Sequence, residues 1–483
     1  MVDGGRSVGM AMHNFARHRA DDRLPGRAAQ HADVRVGLAK AVPSLAAALV
    51  LAGCATSNWQ AASVGLAPDR TNAVSETDVC RAHLVALRGA IAASGSGDAQ
   101  DAKVTQFPYL RVNRLLAHVG RRFEHGASGP AFPSWVNRLR KLDRKATRYE
   151  VENLSDTDYK AISRKIAGRA IDRGLLLRKI DECAERVSKS DLASAGRRRQ
   201  LVRWARVEDH YSDVARTAGL FPLTSIAVSN GWENWKRKHL KTFDRPLAEL
   251  PVVGKLTTYG PAGPARPLSR DQVRRIIARS RDRHLAIPEP SRADLTRLFQ
   301  NFAPVWQIDV AGQYDRIGHP ALRGRSTVAV IDQARPTVFT RASHTVIDGH
   351  VLLQLNYGVW FSERPKSGNL DLLGGKLDGV IWRVTLAADG RPLVYDSIHA
   401  CGCYHFVFPS RTLRQHVGRN PRGDVKERPA ILNIAPVPRG GERVLLRLAT
   451  ASHYLVGLGT TANNVAGGTV SRYRFASAQG LRS

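Results

Sequence analysis

The sequence predicts an α+β protein, a helical N-terminal domain followed by an antiparallel β-rich C-terminal domain of sandwich or open-barrel type. Three observations carry this. Between residues 76 and 243 apolar side chains recur at helical spacing, as in Cys80, Leu84, Leu87 and Ile91. After Pro304 the texture changes to runs rich in Val, Ile, Leu, Tyr and Trp, several of them alternating. Between the two, Pro246, Pro251, Pro261, Pro264 and Pro267 interrupt any regular helix and argue against a central strand.

The chain has 483 residues, 43% hydrophobic and 24% charged, which suits two or three domains with their own cores. Its formal charge of +31 attracts anionic polymers and lipid headgroups. Residues 1–33 mix acids and bases with no apolar period and read as a mis-called extension, with Val34 or Val36 as the true start.

Residues 34–54, VRVGLAKAVPSLAAALVLAGC, place Arg35 and Lys40 ahead of a short apolar run, Ala41 to Ala52, that ends in small residues. That is the layout of an export signal, too short for a comfortable transmembrane helix. Leu51-Ala52-Gly53-Cys54 resembles the lipobox of bacterial lipoproteins. The resemblance is confined to 34–54 and implies location alone: cleavage before Cys54, diacylation of its thiol (palmitate among the acyl groups) and acylation of the new amino terminus. Ala55, rather than Asp, then implies the outer membrane, with the protein facing the periplasm. The expected partners are the membrane, through the lipid, and an anionic envelope polymer or lipid headgroups. Nucleic acid is not expected despite the charge.

Residues 54–75 are small and polar, a tether. At Ser75 the sequence S-E-T-D opens a helix, and others are expected at 110–123, 135–147, 158–187 and 201–218. Leu176, Ile180, Cys183 and Val187 repeat the apolar spacing. Cys80 and Cys183 thus lie in the stripes of two helices. In an oxidising compartment they are a disulfide pair closing a loop worth up to roughly 4–5 kcal/mol, and otherwise two buried thiols. Residues 244–303 form the Pro-rich connector, with short helices near 271–281 and 291–301.

Residues 304–483 hold the strands. Asp389-Gly390 between Leu386 and Leu393 marks a hairpin. No nucleotide-binding glycine loop and no G-x-S-x-G element occurs, which weakens nucleotide-enzyme and α/β-hydrolase readings.

The chemistry concentrates in YDSIHACGCYHFVFP, where His399, Cys401, Cys403 and His405 fall on every second residue. On a flat strand such neighbours lie about 6–7 Å apart and the outer two about 20 Å, so four ligands on one ion need a bend, which Gly402 permits. Thiolate and imidazole select zinc or cuprous copper. Two other readings stay open: a strained Cys401–Cys403 redox couple, and a structural strand with its histidines hydrogen-bonded. A fourth makes Cys403 a nucleophile with a histidine base from elsewhere.

Upstream lie His344, His350, Glu363, Asp371 and Asp378. Glu363 and Asp378 are the candidate catalytic carboxylates for acid–base hydrolysis, and Asp396 is placed to orient an imidazole. WFSERP, ending one strand, is a typical cleft position. GRRRQ at 196–200 and the Trp232/Trp235 segment of 230–241 are basic, suiting an interfacial helix or an ordinary solvated one. The expected function is a lipid-anchored envelope protein with a Cys/His metal site. A non-enzymatic binding or scaffolding protein and a metal- or carboxylate-dependent hydrolase of an envelope polymer are the alternatives.

Overall fold

Ser75 starts the first helix: its hydroxyl accepts the Asp78 N–H at 3.2 Å. The computed structural model describes residues 75–98, 101–207, 233–262, 267–322, 329–366, 368, 374–413, 430–432, 434–462 and 469–478. The export signal, Cys54, most of the tether, Trp232 and Asp371 lie outside the described residues. No described helix is long and apolar enough to cross a membrane.

The helices are α1 (Glu76–Ser94), α2 (Arg114–Gly120), α3 (Ala131–Glu152), α4 (Asp156–Ala167), α5 (Arg173–Ala193), α6 (Ala195–Trp204), α7 (233–240), α8 (Arg270–Arg279) and α9 (Arg292–Asn301). Where one helix is expected over 158–187 there are two. Gly168, at φ 73°, ends α4 in the left-handed conformation, and the Asp172 carboxylate caps α5 on the Leu175 N–H at 2.9 Å. Cys80, Leu84, Leu87 and Ile91 are buried as one stripe against α5, and a disulfide joins Cys80 to Cys183. Arg111, fully buried beside the helices, bonds to Asp143 and Glu150, which Arg88 also holds at 2.5 and 2.8 Å. The buried charges are therefore paired, as burial requires.

The strands are β1 (Ala102–Lys103), β2 (Arg111–Val112), β3 (Lys255–Pro261), β4 (Val305–Val310), β5 (His319–Leu322), β6 (Ala329–Asp332), β7 (Thr337–Ile347), β8 (His350–Arg364), β9 (Gly375–Leu386), β10 (Pro392–His399), β11 (Phe406–Pro409), β12 (Ala430–Ile431), β13 (Glu442–Leu448), β14 (Leu455–Ala462) and β15 (Thr469–Ser477). Eleven of them form one sheet in the order β12-β11-β10-β9-β8-β7-β15-β3-β4-β13-β14, curled into a half-barrel. The pairs from β7 through β11 are antiparallel, as expected. The sheet as a whole is mixed, because β15 runs parallel to both β3 and β7, β13 to β4, and β11 to β12.

A second difference concerns 255–261. This stretch of the proline-rich connector is an interior strand, with β15 on one side and β4 on the other. The prolines flank it instead of interrupting it: Pro251 precedes it and Pro261 is its last residue. Its interior, Leu-Thr-Thr-Tyr, has the β-branched and aromatic side chains that a pleated surface favours.

On the core face of β8–β10, Tyr357, Val359 and Phe361 meet Trp382, Val380 and Tyr395 beneath α8 and α9. This alternation decides where the polar residues of the same strands go.

Candidate functional site

Phe361 of β8 lies opposite Asp378 of β9, and Val380 lies opposite His399 at the end of β10. Since Phe361 and Val380 belong to the core, Asp378 and His399 are carried to the same core face. They meet there, with His399 Nδ1 at 3.5 Å from Asp378 Oδ1. His399 is only 3% exposed, and its Nε2 is buried with no hydrogen-bond partner among the described residues.

Asp378 is shared. Its Oδ2 accepts from His453 Nδ1 at 2.7 Å, and its Oδ1 accepts the Gly379 N–H at 2.8 Å. The His453 ring is fully buried and stacks on Phe361, centroids 3.8 Å apart and 4° from parallel. Its Nε2 sits 3.3 Å from Asp315 Oδ1, an ion-pair contact short of an aligned hydrogen bond. Asp315 is itself fully buried and accepts from the Thr450 hydroxyl, the Ala451 N–H and the Ala311 N–H at 2.7, 2.7 and 2.9 Å. The order is therefore Asp315, His453, Asp378, His399.

Burial opposes charge on each acid, but its polar neighbours outweigh it. The His399 and His453 imidazoles hold Asp378 well below the carboxylate range, and the His453 imidazole and the Thr450 hydroxyl lower Asp315. Burial likewise disfavours the His453 cation, and Asp315 and Asp378 together outweigh it and raise the imidazole.

Backbone strain gathers at the same place. Seven described non-glycine residues have positive φ, and four of them surround this network: Leu377 at 63°, Tyr404 at 55°, Ala451 at 59° and His453 at 51°. Each costs of order 1 kcal/mol or more, and such residues cluster where function needs a fixed geometry.

Aromatic side chains close the outer side of His399. Tyr404 and Tyr454 lie 5.2 and 5.8 Å from its ring, and 4.3 Å from each other. Arg364 donates to the Tyr454 hydroxyl at 2.9 Å and lies over that ring. Trp235 stacks on His239 at 4.6 Å and reaches Tyr404 at 4.7 Å. Trp235 of the basic 230–241 segment therefore packs inward.

The backbone does fold back at Gly402, at φ 93°, where the Cys403 carbonyl accepts the His399 N–H at 3.0 Å. The fold-back does not gather the four candidate ligands. His405 has the parity of Val407 and Asp396, so it lies on the sheet face opposite His399. There it contacts Asp396 Oδ1 at 3.3 Å and Arg383 at 3.2 Å, so Asp396 orients the imidazole of His405 and not that of His399. Cys401 is an exposed free thiol, and Cys403 is half-buried and free of any disulfide. Among the described residues no group of three or more His, Cys, Asp or Glu side chains could hold a metal ion.

Of the two candidate carboxylates, Asp378 is central to the network. Glu363, opposite Lys376 and partly exposed, shares its face at the end of β8. His344 Nε2 donates to the Pro288 carbonyl, 2.7 Å away, and exposed His350 begins β8 at its far end. Neither joins the site. Sequence reasoning missed His453 and Asp315. Asp315 ends the short 3-10 helix Gln313–Asp315 after β4 and His453 lies in the connection between β13 and β14, and the parallel pairing of β4 with β13 brings the two connections together. The one local trace is a histidine between the two strand runs of RVLLRLATASHYLVGL, where a turn must fall.

No family model matches the chain, and neither a curated protein nor a solved structure does.

Proposed function

We propose that this chain is a lipid-anchored cell-envelope protein whose curled sheet carries an acid–base centre of hydrolytic type. The observation that supports it is the buried, unpartnered Nε2 of His399, whose other nitrogen is held by Asp378. A buried imidazole nitrogen that no described protein group engages is open to a water or a substrate hydroxyl, and that is what a general base requires. In this reading His399 Nε2 takes the proton of a water or substrate hydroxyl, and Asp378 fixes the imidazole and stabilises its cation. His453 and Asp315 hold Asp378 in position. Tyr404 and Tyr454 must turn aside to admit substrate. A basic surface suits an anionic envelope polymer.

The test is the secreted chain assayed on envelope fractions and on ester, amide, glycoside and phosphodiester probes, beside His399→Ala and Asp378→Asn. General acid–base catalysis contributes about 10²–10⁴-fold, so both variants are expected to lose at least a hundredfold. A His399→Ala protein as active as the parent sinks the proposal. The anchor is tested separately: Cys54→Ser is expected to abolish palmitate labelling and membrane retention. Elemental analysis of protein purified without added metal decides whether His399 and the two thiols take up zinc or copper.

A further inference from the structure

A cavity of about 460 Å³ lies away from the His399 network, between the start of α8, the end of α9, the beginning of β10 and the segment leading into β13. Among the described residues its wall has five arginines, Arg270, Arg391, Arg411, Arg439 and Arg443, against one acid, Glu442. Three of them are fixed in advance, Arg443 by donating from Nη1 to the Gln300 and Ala303 carbonyls at 2.7 and 3.2 Å. Arg270 and Arg391 donate to the same Asp389 carboxylate at 2.7 and 2.8 Å. Gly390 tucks this hairpin tip under α8 so closely that a Cβ there would come within 2.6 Å of the Arg270 carbonyl. Glu442 is engaged by the Arg439 N–H at 2.9 Å.

The rest of the wall is apolar, with Leu268, Phe302, Pro436 and Val437 among it. Tyr395 also lines the cavity; it is 4% exposed, and among the described residues its hydroxyl makes no hydrogen bond. Burial pushes the phenol well above its ordinary value, so it remains an O–H donor at any physiological pH. A cavity this size suits a small molecule, and an apolar body with convergent donors selects by head group.

We propose that this cavity binds an amphipathic anion, a molecule with one carboxylate or phosphate head and an apolar body. The guanidinium groups take the head together with the Tyr395 hydroxyl, and the Leu268–Phe302–Val437 side takes the body. The proposal does not depend on the acid–base reading of His399.

Calorimetric titration of the secreted full chain with dodecanoate, dodecyl phosphate, dodecanol and inorganic phosphate tests it. Both amphiphilic anions are expected to bind, with dodecanol and inorganic phosphate at least tenfold weaker. The Arg411→Ala/Arg439→Ala protein, both changes being at exposed positions, is expected to lose about tenfold or more, and Tyr395→Phe a few-fold. Circular dichroism confirms that each variant is folded. Phosphatidylglycerol vesicles form the last arm: displacement of dodecyl phosphate makes membrane lipid the source, and no displacement makes it a free amphiphile, either one supporting the site. Dodecanol binding as tightly as dodecanoate, or a double variant binding like the parent, overturns it.

Discussion

His453 Nδ1 lies 2.7 Å from Asp378 Oδ2, and the same ring stands between Asp378 and Asp315 with no exposure to solvent. A cation buried between two anions is stable as a set and costly to break. Removing one partner of such a set typically costs about 3–5 kcal/mol. His453→Gln is therefore expected to lose about 3 kcal/mol in urea denaturation near pH 5.5. The loss should depend on pH. His453 is raised in the folded state, so its contribution is complete below the unfolded value of about 6.5 and fades as pH rises through the folded one. Asp378 and Asp315 are lowered, so theirs is complete above about 3.9 and fades as pH falls through the folded values. The difference between parent and variant should peak between those limits. A difference that does not change from pH 4 to pH 9 would mean the ring is held by packing on Phe361 alone.

Much of this arrangement was legible, and the part that was not has a physical reason. Cys80, Leu84, Leu87 and Ile91 announce a buried helical stripe because helical contacts are local. The Asp389-Gly390 turn announces β9–β10 because a hairpin needs only its own residues. The parallel pairing of β15 with β3 and β7 leaves no such trace, since it depends on segments far apart in the chain. The acid–histidine network inherits that opacity. Asp378 could be singled out, but Asp315 and His453 become its partners only once the order of β3, β4 and β13 is known. The alternate Cys/His spacing misled for a related reason: a tight turn at Gly402 reverses the chain, and the antiparallel register then assigns His399 and His405 to opposite faces.

That separation makes the two histidines experimentally distinct. His405→Ala removes contacts to Asp396 and Arg383 on the far face and is expected to cost about 1–2 kcal/mol. It should leave any activity within a few-fold of the parent, whereas His399→Ala should lower it at least about a hundredfold. Equal loss of activity in both, at equal fold stability, would show that the 399–405 segment acts as one unit.

The disulfide ties α1 to α5 across a sequence separation of 103. Loop-closure entropy for a loop of that length is worth about 4–5 kcal/mol, subject to compensation in the reduced chain. Cys80→Ser/Cys183→Ser is expected to lower the urea midpoint of the helical region markedly, and reductant should do the same to the parent but nothing further to the variant. A parent midpoint unmoved by reductant under denaturing conditions contradicts the pairing.

β15 is the seam of the sheet. Thr469 to Tyr473 pair with β3, and Arg474 to Ser477 pair with β7, so nine residues join the antiparallel β7–β11 half to the β3–β4–β13–β14 half. Tyr473 anchors the seam: it is 1% exposed and donates its hydroxyl to the Pro304 carbonyl at 2.7 Å. Truncation after Ala462 exposes two interior edges together with the apolar surface around Tyr473, and it is expected to abolish cooperative unfolding. Tyr473→Phe leaves the Pro304 carbonyl buried without its donor and should cost about 1–3 kcal/mol, while Tyr473→Ala adds a cavity and should cost about 3–5 kcal/mol. Chemical denaturation followed by tryptophan fluorescence reads all three, since Trp306 of β4 and Trp382 of β9 report one half each. A truncated chain that keeps a single transition at the parent midpoint would mean the two halves hold together without their shared strand.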